Sequence, residues 1–542
     1  MVLQNNLELK KKWILVVLTI LYLLMVFIGA WLSDDAYITF RTIDNFINGY
    51  GLTWNTAEKV QAFTHPMWMF MLSGFYFITR EIYYTSIIVS LLISTIAVFL
   101  FLYKLSVSVI NSILVILILS LSKAFIDYST SGLENPLTHL LITLFFISYF
   151  SKSKDDKKLL TLSAIVSLAV LNRMDIILIL LPPLIITYLK GNRLKGLITI
   201  ATGFLPFILW EVFSFLYYGF PFPNTAYAKL NTGVKQIELV EQGLYYFLNS
   251  LLTDPLTTII IIAGVLIPVL KKYRELWAIS IGIVLYILYI TIIGGDFMGG
   301  RFFSAPLFCS AIIISKINFK SLRGALPSFA AVIILGFLSP KPTILSNQYY
   351  SLGPKTVKAF RFGPLIVNMY HGIVDERFWY YENTGLLNNI FEKKINNHPW
   401  VKEAEKLKKA GNRVVVRKTI GLLGYYAGSK IHIIDPLALS DPLLSKIHST
   451  EYWLNQKNYF GNEKRWRIGH FARKIPGGYI ESIKTGENHL EDKDLKEYYC
   501  KLLLVTKGDM FDFNRITEIW NLNKGKYNYL LTAYNKKLKS IN

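Results

Sequence analysis

Residues 13–52 read WILVVLTILYLLMVFIGAWLSDDAYITFRTIDNFINGYGL, and this stretch decides the fold class. It begins with an apolar run, Trp13 to Leu32, of about 20 residues, which is long enough to cross a bilayer. Two adjacent carboxylates, Asp34 and Asp35, follow directly. Because charge at a bilayer boundary costs free energy, acidic residues held at that depth are candidates for function.

The composition and the flanking charges define the setting of this stretch. The chain has 542 residues, 53% of them hydrophobic, which is too apolar for a soluble multi-domain protein. Lys10 to Lys12 precede the first run, so the positive-inside rule predicts a cytoplasmic N-terminus and an external Asp34 and Asp35. The run is too long for a signal peptide, and no small-residue cleavage site follows it.

Hydrophobic runs recur until about residue 339 and predict a polytopic helical bundle. The segment PMWMFMLSGFYFI, residues 66–78, is short for a span and indicates an interfacial or re-entrant segment. Together with the first run, about 11 transmembrane helices are predicted. The later ten lie near 83–103, 109–125, 136–150, 159–172, 176–189, 197–218, 256–270, 276–293, 302–315 and 327–339.

Charge supports this count, because it places the basic loops SKSKDDKK, KGNRLKG, KKYRE and KINFKSLRG together in the cytoplasm. Every polar, motif-like loop then lies on the outer face, which excludes nucleic acid as a partner. The net charge of +22 lies partly in Lys-rich external stretches such as residues 402–418. A solvated surface explains those better than a dedicated anion site, and attraction to acidic lipid or glycan is the sharper alternative.

The sequence after residue 339 has the pattern of a soluble α/β domain, so the predicted domains are 1–339 and 340–542. NRVVVRKT predicts a strand, IGLLGYYAG a short helix ended by Gly428, and KIHIID a second strand, which together form a β-α-β unit. The glycines lack the GxGxxG spacing, so a nucleotide cofactor is not expected. Cys309 in a predicted span and Cys500 in the external domain predict no disulfide.

Several outer loops carry charged residues next to predicted spans, and each has a simple structural explanation. Glu134 before Pro136 is as well explained by a favourable helix dipole as by a site. Arg173 and Asp175 fit a local ion pair, Arg301 fits a residue at the headgroup level, and His65 fits an interfacial histidine.

The convergence of these loops on one face of the bundle favours a functional site. Carboxylates there could deprotonate a sugar hydroxyl or hold a divalent cation. Cations such as Arg173, Arg301 and Lys229 could bind a phosphate. A phosphate leaving group and a hydroxyl nucleophile at a membrane surface are the chemistry of glycosyl transfer from a lipid-linked donor.

A set of motifs in fixed order then carries a family resemblance along nearly the whole chain. The motifs are DDAYITFR, NGYGLTWN, TSGLE, YYGFPFPNTAYAK, GGDFMGGRF, GIVDERFWYY, IGLLGYYAG, IDPLALSDP and IWNLNKGKYNYL. The chain resembles the GT-C glycosyltransferases of the terminal arabinofuranosyltransferase type and their wider bacterial relatives. Its Lys-, Asn- and Ile-rich composition is unlike that of actinobacterial proteins, so fold and mechanism transfer better than the sugar.

The resemblance implies an inverting enzyme of cell envelope biogenesis with a polyprenyl-phosphate monosaccharide as donor and no nucleotide. Asp34 would be the catalytic base, and Asp35 would assist it or hold Mg, Mn or Ca, with the reverse assignment open. Arg173, Arg301 and Lys229 would bind the donor phosphate. The substrate cavity would be lined by Arg41, His65, Glu134, Asp175, Asn224, Tyr227 and Asp296.

The implied protein lies in the bacterial cytoplasmic (inner) membrane and transfers sugar to a glycan or glycolipid acceptor outside it. Aromatic residues of the external domain, Tyr425, Tyr426, Trp453 and Trp466, are candidates for acceptor binding, although such residues more often form a core. A transporter or flippase for a lipid-linked glycan is the alternative. The sequence offers no inverted repeat and no interrupted helices in corresponding halves to support it. A non-catalytic glycan-binding scaffold is a third reading.

Overall fold

The computed structural model is predominantly helical and describes residues 2–153, 155–319, 321–351, 369–411, 413–449 and 466–540. The helices before residue 340 are α1 Val2–Ile28, α2 Asp34–Ile47, α3 Pro66–Thr79, α4 Ile82–Leu100, α5 Val109–Leu121, α6 Lys123–Asp127, α7 Asn135–Tyr149, α8 Asp155–Asn172, α9 Ile177–Leu189, α10 Arg193–Gly203, α11 Leu205–Tyr218, α12 Asn224–Leu230, α13 Gln236–Thr253, α14 Pro255–Leu270, α15 Trp277–Ile292, α16 Ser304–Ser315 and α17 Leu322–Phe337.

The described residues after 340 form shorter helices and four short strands. The strands are β1 Met369–Tyr370, β2 Ile373–Val374, β3 Val414–Val416 and β4 His432–Ile434. The helices are α18 Ser346–Ser351, α19 Glu376–Thr384, α20 Leu386–Glu392, α21 Pro399–Lys409, α22 Leu422–Ala427, α23 Tyr479–Thr485, α24 Lys493–Lys507, α25 Phe513–Asn523 and α26 Asn528–Ser540.

Three helical segments of the described chain are long and apolar enough to cross a membrane: Leu9–Ile28, Ile82–Leu105 and Arg274–Ile292. The number rises to five if each of two bent helix pairs is counted as one span. Several further apolar helices are shorter than a full span. A helical protein with membrane-spanning segments is therefore supported, and the count of about 11 stays a prediction.

The two bent pairs are a departure from the uninterrupted helices that the sequence suggested. The predicted span 197–218 is broken between α10 and α11, which meet at 54°. The break lies between Gly203 and Pro206, a pair typical of a helix end and a helix start. Helix α13, which was not predicted, meets α14 at 114°.

The chain forms two compact units, each assembled from three separated segments. The first unit comprises Met1–Ser33, Tyr83–Phe207 and Leu239–Lys394. The second unit comprises Asp34–Ile82, Ile208–Glu238 and Ile395–Asn542. The predicted domains, 1–339 and 340–542, have other boundaries than these two units, and the division into those domains stays a prediction.

The first unit is a bundle whose central helix is α16, in which every residue is buried. Close approach of its helices depends on glycine. A Cβ atom at Gly264 of α14 would collide with Ser310 of α16, and one at Gly282 of α15 would collide with the Ile179 carbonyl of α9. Such small-residue contacts let apolar helices pack without a strong hydrophobic driving force between them.

The second unit contains the predicted β-α-β arrangement. Strands β3 and β4 pair in parallel, with Val415 opposite Ile433, and α22 connects them. Gly428 ends α22 with a φ of 74°, as the sequence indicated. Ile38, Trp54, Leu423 and Ile433 lie in one buried core cluster, so α2 packs on this β-α-β arrangement.

Candidate functional site

The second unit holds the two aspartates predicted to be catalytic. Asp34 is the first residue of α2 and is buried, with 9% of its surface exposed. Its Oδ1 accepts a 2.7 Å hydrogen bond from the backbone N–H of Leu422. Asp35 is the next residue of the same helix turn and is only partly buried. The pair therefore has one fixed, desolvated carboxylate and one more accessible carboxylate.

The environment of Asp34 moves its titration toward neutral pH. Burial raises its pKa to about 7, and the neighbouring charge of Asp35 adds to this rise. The N–H of Leu422 and the positive charge of Arg467 oppose the rise. A carboxyl group with such a pKa is suited to accept a proton at neutral pH.

Arg41 is a buried side chain that connects α2 with the β-α-β arrangement. Its side chain is 1% exposed and lies over the Trp54 ring, 4.2 Å from the ring centroid. The guanidinium donates hydrogen bonds to the carbonyls of Trp54, Gly424 and Ile431 at 2.6–2.8 Å. These contacts tie α2 to the β-α-β arrangement, whereas the predicted place of Arg41 in a substrate cavity stays a prediction.

His65 is also held within the second unit. Its Nε2 lies 2.8 Å from Thr39 Oγ1 of α2, and its Nδ1 lies 3.3 Å from Thr64 Oγ1. The ring is 5% exposed. His65 therefore lies against α2 through Thr39, and these contacts fit the structural explanation at least as well as a role in a cavity.

Helix α12 carries the three predicted residues Asn224, Tyr227 and Lys229. The Asn224 amide donates to the carbonyls of Ala438 and Asp441 at 2.9 and 3.0 Å, so it clamps the loop after β4. The Tyr227 ring lies beneath Lys446, whose Nζ is 3.2 Å from the ring centroid. Lys229 is exposed, whereas Asn224 and Tyr227 are buried or half-buried.

A short basic segment, Arg467 to His470, completes the surroundings of Asp34 and Lys229. A Cβ atom at Gly469 would lie 3.2 Å from Lys229 Cε, so this segment touches the Lys229 side chain. Burial lowers the pKa of His470 well below its usual value, and the nearby charges of Arg467 and Lys229 lower it further. Neither Arg467 nor His470 was predicted from the sequence, although the basic run RWRIGHFAR, residues 465–473, was a usable signal.

The predicted acceptor-binding aromatics are partly accounted for by packing. Tyr37 of α2 packs edge-on against Tyr425, with ring centroids 5.7 Å apart, and Tyr425 packs against Tyr426 in turn. Trp466 donates through Nε1 to Glu238 across 3.0 Å. The predicted residues Tyr425, Tyr426 and Trp466 are half-buried. Trp453 lies outside the described residues.

The first unit brings five predicted residues from separate loops into one buried cluster. Arg173 pairs with both oxygens of Asp175 at 2.7 Å and with Glu134 Oε1 at 2.7 Å. Arg301 reaches the same Glu134 oxygen at 3.1 Å. Asp296 Oδ2 lies 3.7 Å from Arg301 Nη1. The local ion pair of Arg173 and Asp175 is thus part of a larger network.

Charge balance in this cluster limits its chemistry. Two guanidinium groups face three carboxylates, and Glu134 bridges the two arginines with only 2% of its side chain exposed. The arginine forks are therefore largely occupied, and a phosphate group would have to displace a carboxylate to reach them.

A second network in the first unit was not assigned from the sequence. Lys123 contacts Asp127, Asp375 and the Tyr350 hydroxyl, and Arg377 donates to Asp127 at 2.8 Å. Burial alone would raise the pKa of Asp375, but Lys123 and Lys341 outweigh it and hold that pKa well below its usual value. Asp375 and Arg377 lie in the quoted motif GIVDERFWYY, so the signal was present.

No group of three or more His, Cys, Asp or Glu side chains in the described parts of the chain is arranged to hold a metal ion. The divalent cation at Asp35 stays a prediction.

Comparison with known proteins gives two curated relatives with the same name. The chain is 25% identical to the terminal beta-(1->2)-arabinofuranosyltransferase of Mycobacterium tuberculosis, over 83% of this chain and 84% of that protein. It is 26% identical to the terminal beta-(1->2)-arabinofuranosyltransferase of Corynebacterium glutamicum, over 56% of this chain and 50% of that protein. No family model matches, and no solved structure matches.

These relatives confirm the resemblance noted from the sequence motifs. The chain is similar to glycosyltransferases of the terminal arabinofuranosyltransferase type, and the similarity to the mycobacterial protein extends over most of both chains.

Proposed function

We propose that this protein is an inverting glycosyltransferase that moves a monosaccharide from a polyprenyl-phosphate donor to a cell-surface glycan or glycolipid on the outer side of the cytoplasmic membrane. The names of the two relatives support sugar transfer, and the apolar helices support a membrane setting. The observation that carries the proposal is the buried carboxylate of Asp34, held by the Leu422 N–H and with its pKa raised to about 7.

In this proposal Asp34 is the general base. Its ionised carboxylate takes the proton from an acceptor hydroxyl, and the hydroxyl oxygen attacks the anomeric carbon of the donor sugar. The bond from that carbon to the phosphate oxygen breaks, and its electron pair leaves with the polyprenyl phosphate. Attack from the face opposite the phosphate inverts the anomeric centre. A base with a pKa near the working pH combines a useful ionised fraction with a strong drive for proton transfer.

Negative charge grows on the departing phosphate, so preorganised cations lower the barrier. Within the second unit, the positive charge of Arg467 acts on the Asp34 carboxyl group, and Lys229 touches Gly469 in the same short segment as Arg467. We assign the donor phosphate to Arg467 and Lys229 ahead of Arg173 and Arg301. The latter two are already bonded to Glu134 and Asp175, so binding phosphate there would cost existing ion pairs.

The decisive experiment uses the purified full chain with a panel of polyprenyl-phosphate sugars, beginning with pentofuranosyl donors, and follows release of polyprenyl phosphate. The Asp34→Asn variant is expected to lose on the order of a hundredfold or more of the turnover while keeping its expression and donor binding. Asp44→Asn is the matched control on the same helix, because Asp44 accepts from Tyr76 and Asn48 outside the site. Near-normal turnover by Asp34→Asn would refute the base assignment.

A transporter or flippase remains the competing function because the structure contains two bent helix pairs. Interrupted helices mark the binding sites of many transporters when they occupy corresponding positions in two repeats. Here the pairs 193–218 and 236–270 follow one another directly in the chain, so they do not occupy corresponding positions in two halves of it. Movement of the lipid-linked sugar across proteoliposomes, with no release of polyprenyl phosphate from any donor, would favour transport over transfer.

A further inference from the structure

Helix α25 of the second unit has two apolar faces. Ile519 and Leu522 on one face are buried, with 1% and 8% of their surface exposed. The other face carries Phe513, Ile516 and Trp520, which are 79%, 37% and 55% exposed. The spacing of three and then four residues places these three side chains along one stripe of the helix.

This stripe is more than the scattered apolar exposure of an ordinary surface. Phe511, just before the helix, is 80% exposed and extends the apolar surface at its N-terminal end. Folding of α25 against the second unit is already explained by its buried face. A contiguous exposed aromatic surface beyond that marks a contact with a protein or a membrane.

The position of α25 in the second unit favours a membrane over a protein as the partner of this stripe. Arg515 of α25 is fully buried and donates to the carbonyls of Leu216 and Tyr217 at 2.7 and 2.8 Å. Asn523 donates to the Gly219 carbonyl at 2.8 Å. The Leu216 and Tyr217 carbonyls lie at the C-terminal end of α11, and the Gly219 carbonyl follows directly after it. Helix α11 is the apolar second half of a bent pair that has the length and composition of a membrane span. Helix α25 is therefore fixed at the end of a helix that is a candidate membrane segment.

The polar flank of the stripe has the chemistry of a membrane interface. Lys524 lies with Nζ 4.4 Å from the centroid of the Trp520 ring, and Lys526 follows at the end of the helix. Aromatic rings with neighbouring lysines are enriched where a protein meets lipid headgroups, since the rings enter the acyl boundary while the amines remain among the phosphates.

We propose that α25 is an interfacial helix, whose stripe of Phe513, Ile516 and Trp520, together with Phe511, inserts into the phospholipid headgroup region next to the end of α11. The partner is the lipid bilayer itself. The helix lies along the membrane surface and holds this part of the second unit there, as amphipathic helices with an aromatic face do. This inference is independent of the enzymatic activity proposed above.

The test places an environment-sensitive label on the stripe of the full-length protein. Cys309 is buried and Cys500 is exposed, so Cys500→Ser provides the background. Trp520→Cys and Phe513→Cys are each labelled with a nitrobenzoxadiazole fluorophore in nanodiscs of phosphatidylethanolamine and phosphatidylglycerol. Some discs carry phospholipid with a nitroxide near the headgroup end of the acyl chain. Glu487→Cys, at a side chain that is 82% exposed, is the matched control.

The expected result is a blue-shifted emission and at least about twofold stronger nitroxide quenching at positions 513 and 520 than at 487. Two independent label sites keep the test valid if one substitution unfolds the helix. Quenching at both sites no stronger than at 487 would overturn the proposal. So would a blue-shifted emission without lipid quenching, because this would show that protein covers the stripe.

Discussion

The Asp34 carboxylate accepts a 2.7 Å hydrogen bond from the backbone N–H of Leu422, although 388 positions separate the two residues in the chain. Gly421 makes this approach possible, because a Cβ atom there would collide with the Asp34 backbone and carboxyl group. The β-α-β arrangement thus fixes the orientation of the proposed base through a backbone contact that needs no side chain at position 421.

Gly421→Ala is therefore expected to displace Asp34 while leaving the carboxylate in the protein. Overpacking of this kind typically costs about 1–3 kcal/mol of stability. Because Asp34 would also lose its hydrogen bond, sugar-transfer turnover should fall by more than the loss of folded protein explains. Gly74→Ala is the control, since nothing lies within 4 Å of a Cβ atom there. Unchanged turnover in Gly421→Ala would show that the Leu422 contact does not position the base.

The pH dependence of transfer tests the base more directly. Asp34 must be ionised to accept a proton, so kcat/KM is expected to rise with pH through an apparent pKa of about 7. The charge of Asp35 contributes to that raised pKa. Asp35→Asn should therefore move the acidic limb of the profile to lower pH, whatever its effect on the maximum rate. A limb that stays in place would exclude this coupling.

A buried carboxylate elsewhere in the second unit predicts how its stability responds to pH. Burial raises the pKa of Glu58 from 4.5 to about 7, against an opposing hydrogen bond from Asn55. The folded protein then binds a proton that the unfolded chain releases, so this contribution is full below about pH 4.5 and is lost as pH rises through 7. Glu58→Gln should reduce the loss of thermal stability between about pH 5 and pH 8. Glu487→Gln, an exposed control, should leave the slope unchanged.

Local signals in the sequence predicted several elements correctly. The β-branched runs in NRVVVRKT and KIHIID indicated the two strands of the β-α-β arrangement, and Gly428 indicated the end of α22. The position of Pro136 indicated the start of α7 just after Glu134. These features depend on neighbours in the chain, which is why a sequence can reveal them.

Features set by distant contacts were not predictable in the same way. The break at Phe204 carried a signal in Gly203 and Pro206, but continuous hydropathy on both sides concealed it. Arg467 lies in an irregular segment without periodicity, so only folding reveals its effect on Asp34. The assembly of each compact unit from three segments likewise depends on tertiary packing that no local pattern encodes.

Breaking the buried ion pairs around Glu134 should destabilise the protein more than breaking an exposed ion pair. Glu134→Ala would remove a buried hydrogen-bonding partner of both Arg173 and Arg301, which typically costs roughly 1–3 kcal/mol. Asp156→Asn breaks the pair with Lys195, whose side chains are 57% and 65% exposed, and should cost at most about 1 kcal/mol. Thermal unfolding of the full chain in detergent measures both variants. Equal shifts would contradict the cluster as a stabilising network.

The two assignments for the donor phosphate separate in steady-state kinetics. If Arg467 binds the phosphate, Arg467→Gln should raise the KM for the polyprenyl-phosphate donor about tenfold or more, since a charge-assisted hydrogen bond is worth roughly 1.5–3 kcal/mol. Thermal stability should change little, because Arg467 is only partly buried. Arg301→Lys should instead lower stability, because a lysine cannot reproduce the contacts of the Arg301 fork with both Glu134 oxygens. A raised donor KM in Arg301→Lys with an unaffected Arg467→Gln would return the phosphate to the cluster around Glu134.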